Sequence, residues 1–480
     1  GGGGGGGGLR SGLRSGPLTG HLASQLRVYG VFARCLIEIL VQYKVLERSS
    51  RLIRDVPQSS HRSLRHSSDD RVTFGRKRTR LSTDLKRHGN PREQSMKIID
   101  VTPYVVRAEM PGVPERDWAW TFVEIKTDED ILGFGESTNW TAGGSFLSAN
   151  AIIQMRELLI GEDPSDIERL WQKIFRAYSY LGSRGLPTTA LSGIDIALWD
   201  IKGKVAGMPV YELLGGSIRS DVELYANAWF TGCKTPEEFA AAAERTIAAG
   251  HSAIKLDPFL EKAFTNYGDG GRISAEGEEL AYDIVAAIRD AVGPKIEILI
   301  DAHGNFDVPT AIRLANNLFD RSNIGWFEEP VPPEGIDALK VVRENSRAPI
   351  CVGERLFTRW DFLPVLNSGL ADYLMPDVVW TGGISELKKI SIMAEPYFVP
   401  ISPHNANGSL QIVSGIHVMM TVPNFYRLEH CVAFIPTYNN FLVDPIIFDG
   451  GRASISGKPG LGHDLDMDSV NANLHPDWTL

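Results

Sequence analysis

ILIDAHGNFD, Ile298 to Asp307, runs from three branched aliphatic residues into Asp301, His303, Gly304 and Asn305. An apolar run that ends in polar residues and glycine reads as a buried strand whose C-terminal end opens into a loop. Side chains two apart on a strand project from one face. Asp301 and His303 are therefore expected to aim at a single point.

The pattern recurs outward from this stretch. IKLD ends at Asp257, EILID at Asp301 and DYLMPD at Asp377, while GWFEEP carries Glu328, ICVGER Glu354, VPISPH His404 and YRLEH Glu429. The successive spacings are 44, 27, 26, 23, 27 and 25 residues. Helix-patterned runs such as PTAIRLANNLFDR and GISELKKISIMAEPY lie between them. A strand and a helix repeating at this length are the signature of βα units. With YANAWF as the first strand, the count reaches eight. The fold class is then α/β, a (β/α)8 TIM-type barrel whose strand C-termini form the active-site face. The rival, an open doubly wound sheet, would normally carry a glycine-rich phosphate turn early in the chain, and no GxGxxG follows a strand here.

Residues 96–222 differ in pattern. IIDVTPYVVR, TFVEIKTDE and ILGFGE read as an antiparallel meander, and ALSGIDIALWDIKGK as an amphipathic helix. This predicts an N-terminal α+β capping domain at 96–222, a barrel at 223–435 and a C-terminal segment at 436–480 that returns to the cap. The Pro-rich stretch MPGVPERDWAW is expected to lie over the barrel mouth.

The first 95 residues look foreign to the rest. They open with eight glycines and hold 18 Lys and Arg against 7 Asp and Glu, whereas residues 96–480 hold 31 against 52, for a net charge of −10. Met96 is the first methionine, and it is expected to begin the folded protein. Residues 1–95 then read as a non-native or disordered basic extension. A targeting leader is the rival, since Arg- and Ser-rich, acid-poor leaders behave that way. The acidic body does not fit a nucleic-acid binder. No apolar run is long enough to span a bilayer, so no membrane partner is expected. The scattered cysteines, Cys35, Cys233, Cys351 and Cys431, form no CxxC pair, which fits a reducing, cytoplasmic setting.

Asp301, Glu328 and Glu354 close three successive strands. Neighbouring strands lie about 4.8 Å apart, so three carboxylates converge and repel. A hard divalent cation removes the repulsion, and Mg2+ prefers oxygen ligands of this kind. Any one of the three alone reads as a solvated or salt-bridged rim group; three in phase read as a metal site. Glu329 faces the other way along its strand.

IKLD, LIDAHGNF, WFEEP, VGER, MPDVVWTGGISE, SPHNANGS and RLEH, with ALSGIDIALWDIKGK in the cap and PGLGHDLD near the end, together resemble the enolase superfamily, in its mandelate racemase-like branch, from residue 96 to about 479. The resemblance implies Mg2+ on Asp301, Glu328 and Glu354, and removal of the proton α to a substrate carboxylate. That proton is too weakly acidic for an unaided side-chain base, so fixed positive charge must meet the developing oxyanion; Mg2+ and Lys255 are expected to supply it. The resemblance also pairs His404 as base with Asp377, which orients the imidazole and raises its basicity.

Many relatives carry Lys-x-Lys on the second barrel strand, where this chain has Lys255-Leu-Asp257. The departure weakens racemisation and muconate-type cycloisomerisation, which need the second base. The Asp-x-His-Gly opening at Asp301 resembles D-galactonate dehydratase and related acid-sugar dehydratases. His303 is accordingly expected to be the general acid that protonates a departing 3-hydroxyl, leaving a 2-keto-3-deoxy acid. Glu429, in protonated form, is expected to hydrogen-bond a substrate carboxylate oxygen. Asp257, Asn305, Arg355, Trp380 and Asn405 complete the expected substrate contacts. The long loop 258–279 is expected to help choose the sugar acid. The alternatives are an epimerase, a lactone cycloisomerase or a non-catalytic homologue. A homo-oligomer is expected because relatives commonly form one.

Overall fold

The computed structural model describes residues 95–111, 117–261 and 270–479. The expectations for residues 1–94, for 262–269 of the 258–279 loop and for the middle of MPGVPERDWAW fall outside these residues.

The described chain begins with an antiparallel sheet of β1 (Ile98–Arg107), β2 (Ala119–Thr127) and β3 (Leu132–Glu136), in that order. The helices Ala142–Met155, Ile167–Ala177 and Leu186–Ala206 follow. The last of these was expected to be amphipathic, but it is buried without interruption from Thr188 to Leu198. The reason is that both of its sides are covered. One packs on β3, where a Cβ at Gly135 would sit 2.0 Å from the Gly193 carbonyl oxygen. The other meets the barrel, where Asp195 accepts from the Ser385 backbone N–H at 3.0 Å.

The barrel strands are β4 (Val222–Asn227), β5 (Ala253–Leu256), β6 (Glu297–Asp301), β7 (Trp326–Glu328), β8 (Ile350–Val352), β9 (Tyr373–Leu374) and β10 (Leu428–Cys431). Neighbours in this order from β4 to β9 pair in parallel, and β10 pairs in parallel with β4. The strand expected at VPISPH is reduced to Ile401, which bridges Leu374 on one side and Phe425 on the other. Pro400 and Pro403 bracket it, and proline has no N–H to give to a ladder. The eight-fold course is kept, with one position a single residue wide. Beyond β10, the hairpin β11 (Ile447–Asp449) and β12 (Arg452–Ser454) adds antiparallel to the start of β4, and Leu474 bridges Val106 of β1.

Strand alternation explains where the chemistry sits. Tyr225, Ala253, Leu299, Trp326, Cys351 and Met375 form an apolar layer. Two residues further along their strands, and so on the same side, come Lys255, Asp301 and Glu328. Asp301 and Glu328 are directly paired across β6 and β7. The intervening Ile254, Ile300 and Phe327 belong to the larger core beneath the helices. Among the described residues, no helix is long and apolar enough to cross a membrane.

Candidate active site

Asp301, Glu328 and Glu354 are all buried and offer oxygen atoms within 4.8 Å of one another. Glu354 reaches the group from beyond the end of β8, after Gly353 turns the chain at φ +144°. A side chain at 353 would also collide with the Met375 backbone, its Cβ 2.9 Å from that nitrogen, so the position requires glycine.

Lys255, expected to supply positive charge to a substrate oxyanion, turns its ammonium into the carboxylate cluster. Its ammonium is 1% exposed and lies 2.6 Å from Glu328 Oε1, 2.9 Å from Glu429 Oε1 and 3.2 Å from Asp301 Oδ2. An ammonium has three donors, and three carboxylates take them. Lys255 thus neutralises the floor of the site. The same contact bears on Glu429, which was expected to be protonated. Burial pushes the Glu429 carboxyl up, but Lys255 and then His404 outweigh it and hold the group below its ordinary value. Glu429 also accepts from Asn227 Nδ2 at 2.7 Å and from the Asn405 backbone N–H at 3.0 Å, so its lone pairs face protein donors. Burial, then Asp301, drives Glu328 far above the usual carboxylate range despite Lys255. Trp326 Nε1 donates to its second oxygen at 2.9 Å.

His404 is 2% exposed, and its Nδ1–H donates to Asp377 Oδ2 at 2.6 Å. The same oxygen accepts from Gln411 Nε2 at 2.7 Å. His303 is built in the same way, its Nδ1–H donating to Asp257 Oδ2 at 2.8 Å. Asp257 Oδ1 meanwhile accepts from the Phe259 backbone N–H at 2.8 Å. Asp257 was expected to contact substrate, and each of its oxygens accepts a hydrogen bond from the protein. Burial opposes charging of both imidazoles, yet Glu429 and Asp377 raise His404 to about 9, and Asp301 and Asp257 raise His303 to about 9.

The convergence of His303 with Asp301 has a different cause from strand alternation. β6 ends at Asp301, and His303 sits in the following turn at φ +48°. Its backbone N–H donates to Asp301 Oδ1 at 2.9 Å, closing an Asx-type turn. The turn brings His303 Nε2 to 3.4 Å from Asp301 Oδ2, and His404 Nε2 lies 3.4 Å from Glu354 Oε2. The two imidazoles therefore approach one carboxylate cluster from two sides.

A cavity of about 650 Å³ opens above them, lined by Asp117, Asn139, Trp140, His303, Arg355 and Trp380 among others. Trp140, from the cap, has its ring centroid 6.5 Å from that of His404, nearly parallel, and 6.5 Å from that of His303, edge-on. Trp380 stacks on His404 at 5.1 Å and donates its Nε1–H to the Thr138 carbonyl at 2.8 Å. The Arg355 guanidinium lies 3.2 Å from Glu354 Oε1 and packs where a Cβ at Gly304 would be, 2.9 Å away. Asn305 is buried, with its backbone N–H donating to the Ala302 carbonyl at 2.9 Å. Trp140, Gln411 and the pairing of Asp257 with His303 were missed from sequence. Only Asp257 carried a signal, since it ends a strand next to the one bearing His303.

The donor set fits a hard divalent cation. Glu354 Oε2 is buried and accepts no hydrogen bond, which is costly for a carboxylate oxygen without a cation. The three clustered carboxylates, with Glu429 beside them, outnumber the one ammonium of Lys255.

A parallel barrel with carboxylates at its strand ends, packed against an α+β sheet-and-helix unit, defines an enolase-like protein. Residues 110–215 match the mandelate racemase / muconate lactonizing enzyme N-terminal domain, and residues 238–469 match the enolase C-terminal domain-like family. The chain belongs to the enolase superfamily, in its mandelate racemase branch. It is 34% identical over 391 residues to a D-galactonate dehydratase of Pectobacterium atrosepticum, covering 80% of this chain and 96% of the relative. It is 31% identical over 400 residues to a D-xylonate dehydratase of Haloferax volcanii, covering 81% and 95%. A crystal structure of a mandelate racemase/muconate lactonizing enzyme-like protein from Rubrobacter xylanophilus superposes with a TM-score of 0.72 at 35% identity, covering 80% and 99%.

Proposed function

We propose that this protein is a Mg2+-dependent dehydratase of a sugar acid, an aldonate such as galactonate, gluconate or xylonate. It is a carbon–oxygen lyase, in keeping with its dehydratase relatives. The observation that carries the reading is the pair of imidazoles, each held at Nδ1 by its own carboxylate and each turning Nε2 toward the carboxylate cluster. Mg2+ held by Asp301, Glu328 and Glu354 would supply positive charge to the substrate carboxylate, and it would offset part of the negative charge that faces the His404 imidazole.

Neutral His404 takes the proton from C2 at Nε2, and Asp377 holds the imidazolium that results. The C2–H electron pair becomes the C2–C3 double bond as the C3–O bond breaks. His303 Nε2 gives its proton to the departing hydroxyl, which leaves as water, and Asp257 keeps that ring oriented. The enol then tautomerises to a 2-keto-3-deoxy acid. The three unpaired cysteines among the described residues, Cys233, Cys351 and Cys431, support a cytoplasmic setting.

The test is a screen of aldonic and aldaric acids with Mg2+, reading 2-keto product as its semicarbazone. His303→Asn and EDTA should each abolish the product. A second reading, epimerisation at C2, is favoured by the likeness of the two His–carboxylate pairs, because His303 with Asp257 replaces the missing lysine base. Deuterium entering C2 from solvent with no keto product would select it.

A further inference from the structure

We infer that Glu136 of the cap is a positioning residue for His404, acting through Gln411 and Asp377. Glu136 ends β3, is fully buried, and reaches across to the barrel helix Ser409–Met419. Its Oε1 accepts from the Gly408 backbone N–H at 2.7 Å and from Thr138 Oγ1 at 2.7 Å, and its Oε2 accepts from the Gln411 backbone N–H at 2.8 Å. A helix N-terminus leaves such N–H groups unpaired, and its dipole favours a negative charge there. No side chain local to Gly408 caps this helix, so a carboxylate from the cap takes the role. Gly408 leaves room for it, since a Cβ there would lie 2.6 Å from Glu136 Oε1.

The consequence runs through Gln411, which is also fully buried. Its Oε1 accepts from the Asn407 backbone N–H at 2.7 Å, and its Nε2 donates to Asp377 Oδ2 at 2.7 Å. That oxygen is the one that holds His404 Nδ1. The turn of helix fixed by Glu136 therefore fixes the donor that fixes Asp377. The same cap segment supports His404 twice more, through the Thr138 carbonyl that anchors Trp380 and through the ring of Trp140. Trp140 also meets His303, edge-on, but the carboxylate that holds His303, Asp257, belongs to the barrel and accepts from His303 and from the Phe259 backbone N–H. The two imidazoles thus differ in what holds them, which separates positioning from mere stability.

The experiment compares Glu136→Gln and Gln411→Met with the wild-type full chain by proton NMR. The low-field Nδ1–H resonances of the two imidazoles are assigned by their loss in His303→Gln and His404→Gln. In both test variants the His404 resonance should move or broaden away, and the His303 resonance should stay. Gln411→Met keeps the backbone N–H that donates to Glu136 and removes only the donor to Asp377, so it tests the relay even if Glu136→Gln does not fold. A His404 resonance unmoved in Gln411→Met, or lost together with that of His303 there, overturns the inference. The kinetic arm rests on the dehydratase reading: kcat should fall about tenfold or more with KM little changed. If the wild type turns over no sugar acid, that reading fails, while the resonances still decide the role of Glu136.

Discussion

His303 Nδ1 stands 2.8 Å from Asp257 Oδ2, and this pair joins the ends of two adjacent barrel strands. Its imidazole is 24% exposed, whereas that of His404 is 2% exposed. The difference suits the proposed division of labour. A base that takes a carbon-bound proton benefits from a dry, fixed setting. An acid that releases water into a cavity must regain its proton from solvent in each cycle.

Removing the orienting carboxylate should separate the two steps. Asp257→Asn is expected to lower dehydration by about ten- to a hundredfold. Solvent deuterium should still exchange into C2 of the substrate, because His404 and Asp377 are untouched. The measurement is NMR of recovered substrate beside the keto-product assay. Equal loss of exchange and product would show that Asp257 serves the base as well.

Glu354 Oε2 is buried without a hydrogen-bond donor, so Glu354→Gln should cost the metal-free protein little and relieve its charge repulsion. The metal-free variant is therefore expected to be at least as stable as the wild type. Mg2+ at a hundred times its Kd should stabilise the wild type by about 2.7 kcal/mol and Glu354→Gln not at all. Thermal melts with and without Mg2+, together with calorimetric titration, check both statements. A Mg2+ shift of wild-type size in the variant would remove Glu354 from the ligand set.

Trp140 approaches both imidazole rings from the cap at φ +42°. Trp140→Ala should uncover His404 and widen the cavity. Losing an aromatic contact of this kind costs on the order of 1 kcal/mol, so KM should rise about fivefold. Initial-rate kinetics on the substrate found in the screen would read it, and an unchanged KM would place the sugar acid away from this ring.

The strand ends were legible because barrel strands announce themselves by apolar runs that stop at a polar residue. Asp301, Glu328 and Glu354 could be grouped on that basis, and the structure brings them together. VPISPH read as a strand although its two prolines leave only Ile401 paired. His303 reached its place by a left-handed turn, which alternation does not foresee. Lys255 and Glu429 were both assigned outward roles, because a sequence shows charges but not which of them neutralise one another. Glu136 lies 272 residues from Gly408 and 275 from Gln411. Neither local pattern nor spacing carries a contact of that range.

Asp195 offers a test of how the cap docks. It is buried in the Leu186–Ala206 helix and accepts from the backbone and hydroxyl of Ser385, at the start of the barrel helix Gly383–Ala394. Burial outweighs those hydrogen bonds and raises its carboxyl from 3.8 to about 7. The folded state then holds a proton that the unfolded chain releases, so the slope of stability with pH is negative between these values. The contribution is fully present below about pH 4 and is lost as pH rises to about 7, a change on the order of 4 kcal/mol. His417, lowered to about 4 by burial, works in the opposite direction over the acid part of the same range. Asp195→Asn removes only the first of these. Its stability should therefore fall relative to wild type at pH 5 and draw level or pass it near pH 8. Urea unfolding at both values measures this, and parallel curves for the two proteins would mean that Asp195 stays ionised in the fold.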